Sequence, residues 1–146
     1  MFILDTNVIS ELRKIRLGKA DKYVEKWADS VNSSDLYLSV ITVQELEIGI
    51  LLIERKAPNQ GAVLRTWLIN QVYPAFEHRI LPVNKAVAIS SAKLHIPDPK
   101  PVRDTLIAAT ALIHGMSVVT RNTKDFESSG VPLLNPWIPK HGNLTE

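Results

Sequence analysis

The sequence predicts an α/β fold, a largely parallel sheet with helices packed against it. Short apolar runs of strand length alternate with longer segments of helical spacing along the chain. The 146 residues are enough for one domain with a real core. No internal repeat, low-complexity tract or linker divides them. Residues 1–140 are therefore expected to form a single domain, with 141–146 as a C-terminal tail.

The elements follow in order. Ile3 and Leu4 end a short buried strand. Asn7 to Lys14 starts a helix, and Gly18 to Asp21 is a turn. Apolar residues at 20, 23, 24, 27, 28 and 31 have helical spacing, and Asn32-Ser33-Ser34-Asp35 breaks that helix. Leu36 to Ser39 reads as the second strand. Thr42 to Lys56 is a strong helix, apolar on most sides from Ile48 to Ile53, and is expected to be well buried. Pro58 to Gly61 reads as a loop, and Ala62 to Tyr73 as a helix closed by Pro74. Arg79 to Val83 is the third strand, and Lys85 to Leu94 a further helix. The prolines at 97, 99 and 101 keep that stretch from being helical throughout. Asp104 to His114 is a helix ended by Gly115. Ser117 to Thr120 and Val131 to Leu134 complete the five strands.

Composition narrows the classes of function. Apolar residues make up 45% and charged residues 22%, which suits a globular domain rather than a disordered one. With no cysteine, a disulfide framework and a thiolate zinc site are excluded. The start lacks a basic segment followed by a long apolar one, so no signal peptide is expected and a cytoplasmic location is. No unbroken apolar run exceeds four residues, the length of Ile50 to Ile53, which is far too short to span a bilayer. The net charge of +2 permits a phosphate-rich partner without requiring one.

The positions of four acids carry the chemistry. In an open parallel sheet, ligands bind beyond the carboxyl ends of the strands. Asp5 ends the first strand, and Asp125 follows the fourth by a few residues. Glu45 falls near the start of the helix after the second strand, and Asp104 at the start of the helix before the fourth. In the predicted fold, these four can converge on one edge of the sheet. Clustered carboxylates repel one another, and a divalent cation removes that cost. Hard oxygen ligands without cysteine favour Mg²⁺ or Mn²⁺. Such a site suits phosphodiester hydrolysis.

Each acid also has an ordinary explanation. Asp5 fits as a helix cap. Glu45 fits a capping box, Thr42-Val43-Gln44-Glu45, reaching back to the Thr42 N–H. Asp104 fits as a helix-start carboxylate favoured by the macrodipole. Asp125 fits as the cap of a short turn. Coincidence of place, not any single residue, carries the reading. Glu11 and Glu47 are poorer candidates, and the four histidines show no metal-ligand spacing. The three tryptophans fall on apolar faces or near the last strand, where packing explains them. The basic residues form loose groups, of which Arg121 and Lys124 flank the Asp125 segment. A phosphate backbone would run beside them.

Four segments carry a family resemblance: "LDTNVISEL", "LSVITVQELEIGI", "RDTLIAATALIHGMSVVTRNTKDF" and "GVPLLNPW". In order and spacing, the chain resembles the PIN-domain ribonucleases, specifically the VapC/FitB-type toxins of bacterial toxin–antitoxin pairs. The resemblance implies a three-layer fold with a parallel sheet in the order 3-2-1-4-5. It implies an acidic quartet that binds Mg²⁺ or Mn²⁺ and cleaves RNA, mapping onto Asp5, Glu45, Asp104 and an acid in "TRNTKDF". Some relatives carry that last acid where Asn122 stands here; Asp125 is the expected one, with Thr120 and Asn122 as hydrogen-bonding support. Thr6 and Asn7, in the same "LDTN" motif as Asp5, are expected to support the site. The resemblance also implies a homodimer, and an antitoxin that inserts a segment into the active-site groove and carries a DNA-binding end. Together they would form a heterotetramer or larger assembly. The implied targets are structured RNAs such as tRNA.

The expected roles follow. Asp5 and Asp104 are the main ligands, and Glu45 completes the site or handles the attacking water. Asp125 is an outer ligand or holds a second ion. Arg121, Lys124 and Arg13 contact phosphate oxygens. In-line attack of water would leave a 5′-phosphate and a 3′-hydroxyl. A haloacid-dehalogenase-type phosphatase is a rival, but it would want an acid at position 7, which is Asn. A DNA nuclease of related fold and a non-catalytic binding module are two further rivals.

Overall fold

The computed structural model describes residues 1–139. The expected tail, 141–146, lies outside the described residues, as does the last residue of the expected 1–140 domain. Five strands form one sheet in the order β3-β2-β1-β4-β5, every neighbouring pair parallel. They are β1 (Phe2–Leu4), β2 (Leu36–Ser39), β3 (Ile80–Leu81), β4 (Ser117–Val119) and β5 (Leu133–Leu134). In register, Ile3 stands between Tyr37 and Val118, so β1 lies at the centre.

Alternate residues of each strand serve opposite faces. Leu4, Leu36, Leu38 and Val119 join one core, with Val8, Leu46, Ile50 and Leu68 from the helices above. Ile3 and Val118 join the other, with Ile107, Ala108, Ala111 and Phe126. Parallel strands need helical crossovers, and helices cover both faces, which is why the strand segments read as continuous apolar runs.

The helices are α1 (Thr6–Arg13), α2 (Lys22–Ser30), α3 (Val40–Lys56), α4 (Pro58–Trp67), α5 (Tyr73–Ala75), α6 (Lys85–Lys93) and α7 (Val102–His114). Gly115, at φ 67°, ends α7 in the left-handed conformation expected of it.

Four local expectations need correction. The Pro58–Gly61 segment is not a loop but the first turn of α4, because proline fits a helix start, where its missing N–H costs nothing. Gly61 lies so close to α3 that a Cβ there would meet Glu54 Cα at 2.5 Å. Pro74 does not close the helix. The chain widens into a π turn at Leu68–Val72 and runs on through α5 with Pro74 in its first turn. Third, α3 starts at Val40 with Ser39 as N-cap, whose hydroxyl accepts the Ile41 N–H at 3.0 Å. Thr42 is therefore inside the helix and fully buried, donating to Leu4 O at 3.5 Å. Finally, α3 is not well buried along Ile48–Ile53: Ile48, Leu51 and Leu52 are 41%, 56% and 63% exposed. One sheet face and α4 cover only part of a helix that is apolar nearly all round. The third and fifth strands are also shorter than the apolar runs that carry them.

Candidate active site

Three chain segments leave the sheet at the carboxyl ends of β1, β2 and β4, where the strand order reverses about β1. This is where an open parallel sheet leaves a crevice. Asp5 extends the ladder, its N–H bonded to Val119 O at 2.9 Å, and then caps α1. Its Oδ1 accepts the Thr6 N–H at 2.8 Å. Its Oδ2 accepts the buried Thr120 hydroxyl at 2.8 Å and Asn7 Nδ2 at 3.3 Å. Asp5 is thus both the cap and part of the acidic group; the two readings do not compete.

Glu45 is not in a capping box. With the helix beginning at Val40, it falls in the second turn, and its partner is Thr6, whose hydroxyl donates to Oε1 at 2.7 Å. Its other oxygen lies 3.7 Å from the Arg103 guanidinium. Asp104 stands in the first turn of α7. Asp125 ends a 3₁₀ turn, Thr123–Asp125, anchored by fully buried Phe126.

Electrostatics ties the four together. Burial raises the Asp5 carboxyl above its ordinary range, against hydrogen bonds from Thr120 and Thr6 that lower it; the charges of Glu45 and Asp125 raise it further. Asp104 is pushed up to about 6, first by burial and then by the charges of Asp5, Asp125 and Glu45, with Arg103 opposing. Four carboxylates from four separate segments therefore share one field. A shared negative field of this kind suits a cation.

The donor set is oxygen alone: four carboxylates with Thr and Asn beside them. Among the described residues, no three His, Cys, Asp or Glu side chains are already gathered as a metal cage. Mg²⁺ does not need such a cage: it keeps several waters and takes one or two carboxylates plus substrate phosphates. The residues fit such an ion on that footing.

The expected supporting residues divide. Thr6, Asn7 and Thr120 are joined to the acids as described, and Asn7 Oδ1 also accepts the Arg121 N–H at 3.2 Å. Asn122 contributes its backbone N–H, donated to Thr120 Oγ1 at 3.0 Å. Of the basic residues, Arg121 stacks over Trp137 at 5.2 Å beside the site, and Lys124 is exposed on the Asp125 turn. Arg13 stands on the last turn of α1, over Trp67 at 5.9 Å. Glu11 and Glu47 are engaged elsewhere. Glu11 accepts the Asp21 N–H at 2.7 Å, and Glu47 is held by Arg65 and Tyr73. Arg103 is the neighbour that the sequence pattern did not single out. In the sequence it is one of a loose basic pair with Lys100, next to Asp104.

Among the described residues, no helix is long and apolar enough to cross a membrane. The PIN domain family model matches residues 2–129. The chain is 38% identical to a VapC ribonuclease, Y4jK, of Sinorhizobium fredii over 95% of this chain and 99% of the relative. It is 41% identical to Toxin FitB of Neisseria gonorrhoeae over 94% of this chain and 99% of that one. A solved structure of FitAB bound to an IR36 DNA fragment superposes with a TM-score of 0.85 at 36% identity, covering 97% of this chain and 99% of that chain. Match, fold and strand order agree, and the chain belongs to the PIN-domain family, beside its VapC and FitB members.

Proposed function

We propose that this chain is a divalent-metal-dependent endoribonuclease, the toxin of a toxin–antitoxin pair. One observation carries the reading: Asp5, Glu45, Asp104 and Asp125, from four segments, share a single field at the carboxyl edge of the sheet. Asp5 and Asp104 are the ligands of Mg²⁺ or Mn²⁺, with Glu45 and Asp125 completing the site. When bound, the ion polarises the phosphoryl oxygen, makes water a better nucleophile and steadies the leaving oxygen.

The chain's own residues do the rest. Thr6 N–H and Thr120 hydroxyl fix the Asp5 carboxylate so that it needs no reordering when the site fills. The Thr6 hydroxyl orients Glu45, which positions the attacking water or takes its proton. Arg121 and Lys124 hold phosphate oxygens of the strand, with Arg13 about two turns along α1 from Asp5. The substrate class is structured RNA such as tRNA. The partner is a small antitoxin with a DNA-binding end, and the solved FitAB structure with DNA supports that assignment. A cytoplasmic setting fits this role.

The direct test incubates the purified chain with total RNA, and in parallel with DNA, with and without Mg²⁺, followed by end mapping. Mg²⁺-dependent cuts in RNA alone, leaving 5′-phosphates, are expected. Asp5→Asn keeps the helix cap, since Asn caps as well as Asp. It is expected to weaken Mn²⁺ binding in titration calorimetry, and unchanged affinity would remove Asp5 from the ligand set.

A further inference from the structure

A small pocket opens beside the acids, against α6, α7 and the turn after Asp125. Its polar lining is Asp104, Asp125, Lys100, Thr105, Ser128 and Ser129. Two of the three hydroxyls are already committed. Thr105 Oγ1 donates to Val102 O at 2.7 Å. Ser129 Oγ donates to Phe126 O at 2.5 Å and accepts the Val131 N–H at 3.2 Å. Lys100 Nζ and Ser128 Oγ have no such engagement among the described residues. The lining of the pocket thus includes a lysine and a serine whose side chains are uncommitted, beside two of the acids.

Lys100 does not lie on a helix. It sits in the proline-rich segment between α6 and α7 and is placed by His95. Thr105 has one hydroxyl hydrogen, given to Val102 O, so it must accept from its other neighbours. His95 Nε2, 3.1 Å away, is therefore the protonated nitrogen. Ser91 Oγ, at 3.0 Å, is the second donor to Thr105. His95 Nδ1 is left as an acceptor and takes the Lys100 backbone N–H at 3.1 Å. One imidazole thereby ties Lys100 to the turn of α7 that bears Asp104.

We propose that the mouth of this pocket is a subsite for an RNA backbone phosphate adjacent to the one cleaved. Lys100 Nζ and Ser128 Oγ are its donors, and His95 is the positioning residue that fixes Lys100. The assignment rests on the ribonuclease reading above. A strand whose scissile phosphate lies over the carboxylates must carry its neighbouring phosphate past one side of them. On the Asp104–Asp125 side, only Lys100 among the lining residues brings a positive charge. A phosphate contact positions the strand without reading its sequence.

The test is single-turnover cleavage of tRNA and of short hairpin RNAs with single-stranded loops by the full chain with Mg²⁺, over a range of KCl concentrations. Lys100→Ala is expected to raise the half-saturating RNA concentration severalfold, equally for different sequences, with a much smaller effect on the saturated rate. The slope of log affinity against log salt falls by about 0.7, the loss of one phosphate contact on a single strand. Lys100→Arg restores both. A methylphosphonate one nucleotide from the cut weakens binding to the wild type and adds nothing in Lys100→Ala. His95→Gln, which can still reach Thr105 but lacks the Nδ1 acceptor, moves in the same direction as Lys100→Ala. His95→Asn, which keeps an acceptor near the Nδ1 position, stays closer to the wild type. An unchanged salt slope in Lys100→Ala, or equal methylphosphonate effects in variant and wild type, would overturn the subsite and leave the nuclease intact. Failure of the wild type to cut RNA would overturn the nuclease reading, and the subsite with it.

Discussion

Asp5 shows how one side chain can cap a helix and still belong to the proposed acidic site. Its backbone continues a strand, one oxygen caps a helix, and the other is braced by Thr120 at the end of the neighbouring strand β4. Glu45 is braced as closely, and a substitution can separate bracing from charge. Glu45→Gln retains an oxygen for the Thr6 hydroxyl, so the fold and melting temperature are expected to hold. The cleavage rate is expected to fall by about 10²–10⁴-fold, the range for losing a general base. Normal RNA cleavage by this variant would remove Glu45 from the chemistry. At this scale the acids were legible because each follows an apolar strand or opens a helix. The Thr6–Glu45 bond was not, since it joins positions 39 residues apart. The capping-box reading failed for a related reason. Thr42 and Ser39 are both good cap residues, and only packing decides that Thr42 goes inside, against Leu4.

Among the elements, the α3–α4 pair is the most sharply determined. Gly61 lets the two helices approach until only a hydrogen fits between them, and Arg65 then spans Glu47 and Glu54 on α3. Gly61→Ala adds a methyl 2.5 Å from backbone, so the helices must part. Overpacking of this kind costs about 1–3 kcal/mol. The gain in helix propensity, at most about 1 kcal/mol, does not offset it. Thermal unfolding is expected to drop by roughly 2–8 °C, with the Arg65 contacts weakened. A melting point at or above that of the wild type would show that α4 has room to spare. The sequence hid this contact because Pro58-Asn59-Gln60-Gly61 has loop composition. A proline at a helix start and a glycine at a close crossing look the same as a turn until the neighbour is known. Alternation of strand and helix, by contrast, survived intact, because parallel strands buried on both faces have little choice of composition. The apolar runs overstate β3 and β5, where apolar character outlasts pairing.

For the molecule as a whole, the shared negative field is a cost of folding that a cation bound at the proposed site would remove. The Asp104 carboxyl, pushed up to about 6 from 3.8, binds its proton more tightly in the folded chain than in the unfolded one. Its contribution to stability is therefore complete below about pH 3.8 and is lost as pH rises through about 6. In EDTA, Asp104→Asn is expected to be more stable than the wild type at neutral pH, with the difference shrinking toward pH 4; melts across that range measure it. Mn²⁺ reverses the order: a ligand at a hundred times its Kd stabilises by about 2.7 kcal/mol, and the variant lacks a full site. A difference between the two proteins that does not change with pH in EDTA would disprove the burial and repulsion assigned to Asp104.

The order in which the acids occur along the chain has a consequence for a cell making this protein. The first belongs to residue 5 and the last to residue 125, and one brace on Asp5 comes from residue 120. Until the ribosome has released the polypeptide past that point, there is no blade, only its scattered parts. With the acidic site as proposed, a nascent chain stopped short of it is expected to have no nuclease activity. The hazard begins only when the late segment docks, and by then a neutralising protein made alongside it can already be waiting.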